Sequence, residues 1–308
     1  MDREQLFEQI KKKKSFLCVG LDSDIDKIPK KLKVYQQPQF AFNKEIIDAT
    51  AKYTVAYKLN LAFYESRGWK GMQELELTVA YIRDRYPEMF IIADVKKGDI
   101  GNTAIHQAKA YFDTMDFDAV TVAPYMGEDS IKPFLAYEDK WAILLALTSN
   151  KSSSNFQKKR TVLGKSDQAG YPLYANVVVT ADVWSSTKPD NLMYVVGATN
   201  ASHEVKFIRQ LVPDYFLLVP GVGAQGGSLK EVAKYGMNEQ CGLLVNSSRG
   251  IIFAGVGIGV DEKQFATRAA SAAHETQQEM EFLLKEKVSI GFLNFLKKPR
   301  FFTLAFLF

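Results

Sequence analysis

The sequence predicts an α/β protein folded as one (β/α)8 TIM barrel, with an insertion after the fifth strand and a C-terminal extension. Three observations predict it. Eight short apolar runs recur along the chain, each followed by a loop and then by a helical pattern, as βα units around a parallel sheet require. Polar and charged residues gather at the carboxyl ends of those runs, where barrels keep their chemistry. The chain has 308 residues and 47% hydrophobic content, enough for one large core; that length suits two smaller domains equally, and strand count decides for the barrel.

The strand candidates are Phe16 to Leu21, Thr54 to Leu59, Phe90 to Val95, Ala119 to Val122, Ala142 to Leu147, Met193 to Val196, Phe216 to Val219 and Leu243 to Val245. Between them, Glu74 to Arg85, Ile131 to Tyr137, His203 to Leu211 and Leu229 to Tyr235 space their apolar residues as amphipathic helices do. Ser228 is the expected N-cap of the last of these and Gly236 its C′ stop. A doubly wound open sheet has the same local periodicity and is the structural rival.

Two segments fall outside the repeat. Ser149 to Leu192 is too long for a simple connection, and its Ser152-Ser153-Ser154 and Lys158-Lys159-Arg160 clusters point to a flap ahead of a helix near Tyr174 to Trp184. The division expected is a barrel over 1–285 and a basic, aromatic extension over 286–308. From Lys285 onward five cations face Glu286 alone, which equals the whole net charge of +4, so the remainder is neutral and nucleic acid is not the expected partner.

No apolar run reaches the roughly 18 residues of a membrane span, and Lys11 to Lys14 precede no apolar signal core. Cys18 and Cys241 lie in apolar strand contexts without metal-ligand spacing, which fits reduced core thiols and a cytoplasmic location. His106, His203 and His274 are not at strand ends and read as surface or helix-packing residues.

At the strand ends stand Asp22, then Lys58 and Asn60, then Asp94 and Lys96, Thr148 and Ser149 after the fifth strand, and Asn246 after the eighth. Side chains alternate along a strand, so Ala56, Lys58 and Asn60 share one face, as do Ile92, Asp94 and Lys96. Two lysines and at least two aspartates therefore converge at the barrel mouth, each sign favouring the ionised form of the other. Any one of these alone would be an ordinary rim ion pair. Asp99 lies past the turn and fits a helix cap equally well.

Pro220-Gly221-Val222-Gly223-Ala224-Gln225-Gly226-Gly227-Ser228 follows the seventh strand. It spells G-x-G-x-x-G, yet sits at the seventh unit and lacks the acid that a dinucleotide fingerprint needs. As a phosphate loop it fits better, because glycines let the backbone approach an anion and the loops after strands seven and eight are the usual phosphate site of barrels. Arg249, in Asn246-Ser247-Ser248-Arg249-Gly250, adds a bidentate cation beside it.

Leu21-Asp22, Lys58, Asp94-x-Lys96-x-x-Asp99, the Pro220 to Gly227 loop and Ser248-Arg249, in that order from Phe16 to Ala254, closely resemble the orotidine 5′-phosphate decarboxylase family, in its longer bacterial branch. The resemblance implies cofactor-free and metal-free decarboxylation of orotidine 5′-monophosphate to uridine 5′-monophosphate in pyrimidine biosynthesis. It implies Lys96 as proton donor, Asp94 against the substrate carboxylate, Lys58 linking ribose and charge network, and Asp22 on a ribose hydroxyl. It also implies a homodimer in which Asp99, with Thr103 beside it, reaches the partner's site. Ser149 would contact the pyrimidine, and Gly223, Gln225, Ser248 and Arg249 the 5′-phosphate.

Three rivals fit parts of the pattern. A metal-dependent sugar-phosphate decarboxylase or aldol-type synthase of the same superfamily shares D-x-K-x-x-D but carries a carboxylate where this chain has Lys58. A Schiff-base aldolase needs a neutral lysine, which flanking carboxylates oppose. A non-catalytic nucleotide-phosphate sensor would bind without turnover.

Overall fold

The computed structural model describes residues 1–161, 170–185, 189–223, 226–256 and 262–295. Among them, eight parallel strands close a barrel: β1 Leu17–Gly20, β2 Ala56–Asn60, β3 Phe90–Lys97, β4 Ala119–Val122, β5 Trp141–Leu147, β6 Leu192–Val196, β7 Phe216–Pro220 and β8 Leu243–Ser247. Each strand pairs with its neighbours in sequence, and β1 closes on β8 with Leu17 opposite Val245. Sequential order and closure exclude the doubly wound sheet.

Paired positions of a parallel ladder face the same way, so the register sorts the barrel interior into layers. Phe90, Trp141 and Phe216 form its floor, with edge-to-face rings 5.9 and 6.1 Å apart. Trp141 Nε1 donates to the Met1 carbonyl at 2.8 Å, so the N-terminus closes the barrel from below. Above the floor lie Ala56, Ile92, Ala119, Ile143 and Met193, all buried. Lys58, Asp94 and Asn246 come next, and there the interior turns polar.

The helices cover the outer face. Helix Arg3–Lys13 begins with a capping box between Asp2 and Gln5 and underlies the floor. Helix Pro38–Thr50 packs against Gly68–Arg85 on one side and the long last helix, Phe265–Phe295, on the other. Ser228 caps Leu229–Gly236 as expected, accepting from the Glu231 N–H at 3.3 Å. Gly236, expected as the C′ stop, is instead the last helical residue, and Met237 leaves in extended conformation. Its hydrogen side chain answers to packing, since a Cβ there would lie 3.0 Å from Leu243.

The helix expected over Ile131 to Tyr137 shortens to Lys132–Leu135. That expected over His203 to Leu211 divides into a wider turn, Ala201–Val205, and a regular helix, Lys206–Leu211. After β5 the chain makes a turn over Lys151–Asn155, a two-stranded hairpin of Arg160–Thr161 with Tyr171–Pro172, and helix Leu173–Trp184. Ser153, within the serine cluster read as flap, is buried. The middle of that hairpin, and the extension from 296 on with Lys297, Lys298 and Arg300, lie outside the described residues.

Replacing Trp141 by alanine should empty the floor and cost about 3–5 kcal/mol, the usual loss for a large buried aromatic. Chemical denaturation measures it, and a loss below about 1 kcal/mol would show that the floor does not hold the barrel.

Candidate active site

β1, β2 and β3 end side by side, with Gly20 opposite Lys58 and Asn60 opposite Asp94. Three of the four charged residues expected together meet through Asp94. Lys58 Nζ lies 2.8 Å from Asp94 Oδ2 and 3.4 Å from Asp22 Oδ1, while Lys96 Nζ lies 2.6 Å from Asp94 Oδ1. The fourth, Asp22, is tied in by Lys58.

Exposure grades across this quartet. The Lys58 side chain is 5% exposed and that of Lys96 49%, so one ammonium sits inside the barrel and the other at its mouth. Burial alone would lower the Lys58 pKa, but the charges of Asp22 and Asp94 outweigh it and raise it above the ordinary lysine value. Burial likewise works against the Asp94 carboxylate; Lys58 and Lys96, by charge and hydrogen bond, hold it well below the usual range. Both groups are therefore ionised across the neutral range. Cys18, beneath them, is pushed up to about 12 by burial and stays a thiol; Cys241 is buried too, and both are free cysteines.

A second set of buried polar groups holds the loop after β1. Asn43 donates to the Tyr64 hydroxyl at 3.0 Å and to Thr78 at 3.1 Å and accepts from Ser23, and Tyr64 donates to the Leu21 carbonyl at 3.0 Å. Gln39 donates to the Ser23 carbonyl at 2.7 Å. Asp22, between Leu21 and Ser23, is thus fixed from both sides. Asn43 and Tyr64 lie on helix faces, and their periodicity gave no sign of this task.

One cavity of about 270 Å³ joins the charged cluster to the loops after β7 and β8. Asp22, Lys58 and Asp94 line one part, and Gly221, Val222, Ser248 and Arg249 another. Larger hollows exist, among them one of about 540 Å³ between Phe7, Ile10 and Leu284, but the lysines at its rim, Lys14 and Lys285, are exposed and pair with Glu281, and no strand end of the barrel opens into it. Gly20 makes room at the junction, because a Cβ there would overlap Ser248 Oγ. Gly221, Gly223 and Gly226 all take positive φ, the region glycine enters without strain. The Gly227 N–H donates to the Gly221 carbonyl at 3.1 Å, which folds the loop back on itself. Gln225 lies outside the described residues. Arg249 is exposed and makes no ion pair with any described residue.

Ser149 follows β5, and the close approach of Gly197, whose Cβ would lie 2.6 Å from the Ser149 Cα, sets its place. Gln157, unnoticed in the sequence, accepts from the Thr148 N–H at 2.8 Å and pins the same turn. Asp99 stands apart from the quartet: its Oδ1 accepts from the Ile100 N–H at 2.8 Å, and it makes no ion pair among the described residues. Thr103 is exposed on helix Gly101–Lys109 nearby. The three histidines are exposed, and His274 stacks on Tyr53 with centroids 4.9 Å apart. Among the described residues, no group of three or more His, Cys, Asp or Glu is placed to hold a metal ion.

One further group was missed. Thr121 of β4, 1% exposed, donates to Asp94 Oδ1 at 3.1 Å. As a β-branched residue in an apolar run it read as strand filler.

Residues 15–257 match the model of the orotidine 5′-phosphate decarboxylase / HUMPS family. The chain is 58% identical to orotidine 5′-phosphate decarboxylase of Parabacteroides distasonis over 287 residues, 93% of this chain and 98% of that one. It is 53% identical to the Porphyromonas gingivalis protein of that name, over 94% of this chain and the whole of the other. Among solved structures, Leishmania donovani OMP decarboxylase superposes with a TM-score of 0.75 at 31% identity, covering 92% of this chain and 99% of that one.

Asp94→Asn would leave the buried Lys58 with only the more distant Asp22, and should cost about 3 kcal/mol at neutral pH, as breaking a buried pair does. Because the Asp94 pKa is depressed on folding, its contribution is complete above its usual 3.8 and is lost as pH falls below it. Denaturation curves of wild type and variant should therefore converge on acidification below that value. A difference that persists unchanged into acid would contradict the ion-pair account.

Proposed function

The chain belongs to the orotidine 5′-phosphate decarboxylase / HUMPS family, and on that premise we propose that it converts orotidine 5′-monophosphate to uridine 5′-monophosphate without metal or cofactor, in pyrimidine biosynthesis. The observation that carries the reading is the single cavity with the Asp22–Lys58–Asp94 cluster in one part and the Gly221 and Arg249 loops in another. It suits a substrate that reacts at one end and carries phosphate at the other.

In the reaction the bond between C6 and the carboxylate carbon breaks, its electron pair stays on C6, and carbon dioxide leaves. The carbanion has no conventional electron sink, so fixed charge must stabilise it. The Lys96 ammonium faces C6, stabilises the developing charge and transfers its proton there. Asp94 lies against the departing carboxylate, disfavouring the charged ground state more than a transition state in which that charge has moved to C6. Lys58 holds Asp94 ionised and, with Asp22, binds the ribose. Ser149 contacts the pyrimidine. Gly223, Gln225, Ser248 and Arg249 take the 5′-phosphate, and binding there supports chemistry at the far end by ordering the loops.

The active unit is a homodimer in the cytoplasm, formed by the barrel of residues 1–285, with 286–308 as an extension. Ile100, Ile105, Tyr125 and Met126 are exposed apolar side chains on the elements around Asp99, which supports a subunit contact at that edge. Asp99, with Thr103, then completes the neighbouring site. No helix among the described residues is long and apolar enough to cross a membrane.

Purified protein in EDTA should deplete orotidine 5′-monophosphate absorbance, and Lys96→Ala should lower turnover by at least about 10³-fold, the scale of losing a positioned proton donor. A wild type that turns over only with added divalent metal would sink the proposal. Mixing Lys96→Ala with Asp99→Ala chains should restore activity in mixed dimers, each holding one intact site. Verified heterodimers without recovery would refute the shared site.

A further inference from the structure

β3 does not pair regularly with β4. Ala93 pairs with Val120 and Lys97 with Val122, so Asp94, Val95 and Lys96 stand opposite Thr121 alone. Three residues against one form a bulge, and Lys96 within it takes φ +53°, a left-handed conformation uncommon outside glycine. The Thr121 hydroxyl occupies the centre. It accepts from the Val95 N–H at 2.8 Å and the Lys96 N–H at 2.9 Å, and donates to Asp94 Oδ1 at 3.1 Å.

A hydroxyl has two lone pairs and one hydrogen, and here all three are used. The two accepted bonds replace ladder bonds that the bulge removes, and the donated bond turns the Asp94 carboxylate. Lys96 Nζ meets that same oxygen, Oδ1, at 2.6 Å. One buried side chain therefore sets both the backbone from which Lys96 springs and the oxygen toward which it points.

We propose that Thr121 is a positioning residue for the decarboxylation, clamping the bulge so that Asp94 and Lys96 are aligned before substrate arrives. The inference rests on the function proposed above. Thr121 touches no reacting atom; it acts through its hold on the two residues that do. Valine has nearly the same shape, so Thr121→Val keeps the packing and removes only the hydroxyl, while serine keeps the hydroxyl and removes a methyl.

The test compares these two variants in steady-state turnover of orotidine 5′-monophosphate and in amide hydrogen exchange at Val95 and Lys96. Thr121→Val should lower kcat by about 10²-fold, the scale of a misplacement near 1 Å, with KM changed less than about threefold. Thr121→Ser should keep kcat within about threefold of wild type. Exchange at the two amides should quicken by at least about tenfold in the valine variant and stay protected in the serine variant. Should Thr121→Val not fold, Thr121→Ala carries the same expectations. A valine variant with wild-type kcat, a serine variant as slow as the valine one, or amides indifferent to both would overturn the proposal. A wild type without turnover would instead refute the decarboxylase reading, and the exchange contrast would still judge the clamp.

Discussion

A lysine ammonium 5% exposed inside a barrel is tolerable only with carboxylates against it, and the contacts of Lys58 with Asp94 and Asp22 are the constraint on which this structure turns. Removing charge from water carries a large penalty, which falls due unless geometry is good and remaining lone pairs are satisfied. Much of the upper barrel serves that condition. Thr121 bonds one Asp94 oxygen, Lys58 the other, and the Ser23, Asn43 and Tyr64 network keeps the Asp22 loop in place. The apolar floor of Phe90, Trp141 and Phe216 supports this polar layer from below. Apolar packing is concentrated at the floor and buried charge at the mouth, a division that lets one end of the barrel be arranged for chemistry.

Much of this was legible in the sequence. A strand buried on both faces reads as an unbroken apolar run, so all eight strands were found to within two residues at each end, and residues interrupting those runs at their carboxyl ends marked the mouth. Asp22, Lys58, Asp94 and Lys96 stand out because a charge that ends an apolar strand is costly to bury without a partner. Closure was less secure, since local periodicity is common to barrels and open sheets; it rested on the count of eight.

What stayed hidden has a common cause. Alternation places Asp94 and Lys96 on one face of a regular strand, and they do meet, but across a bulge that no period-2 pattern contains. Thr121 is invisible for the complementary reason: threonine suits a strand whatever its hydroxyl does. Gln157 and Asn43 act through partners distant in sequence or on other elements, and Gly236 was assigned to a helix stop although its smallness answers to Leu243. Sequence patterns report which face a residue occupies; they do not report which third residue satisfies its polar atoms.

The charge balance of the mouth links the fold to the proposed chemistry. Asp22, Lys58, Asp94 and Lys96 sum to zero, so the quartet is electrostatically quiet until an anionic substrate enters. On the proposed reading, a phosphate taken up at the Gly221 and Arg249 end meets a cation that makes no ion pair with any described residue, and does not draw on the lysines. A carboxylate brought against Asp94 is different: it adds a negative charge beside one already fixed by Lys58 and Thr121, in a place where neither can move away. In the proposed reaction that repulsion falls when the carboxylate leaves as neutral carbon dioxide, while the charge left on C6 would lie beside the Lys96 ammonium. Rigidity of Asp94 is thus as important as its charge, for a carboxylate free to rotate would relieve the conflict without reaction. That is why the buried pair, the bulge and its threonine belong to one device.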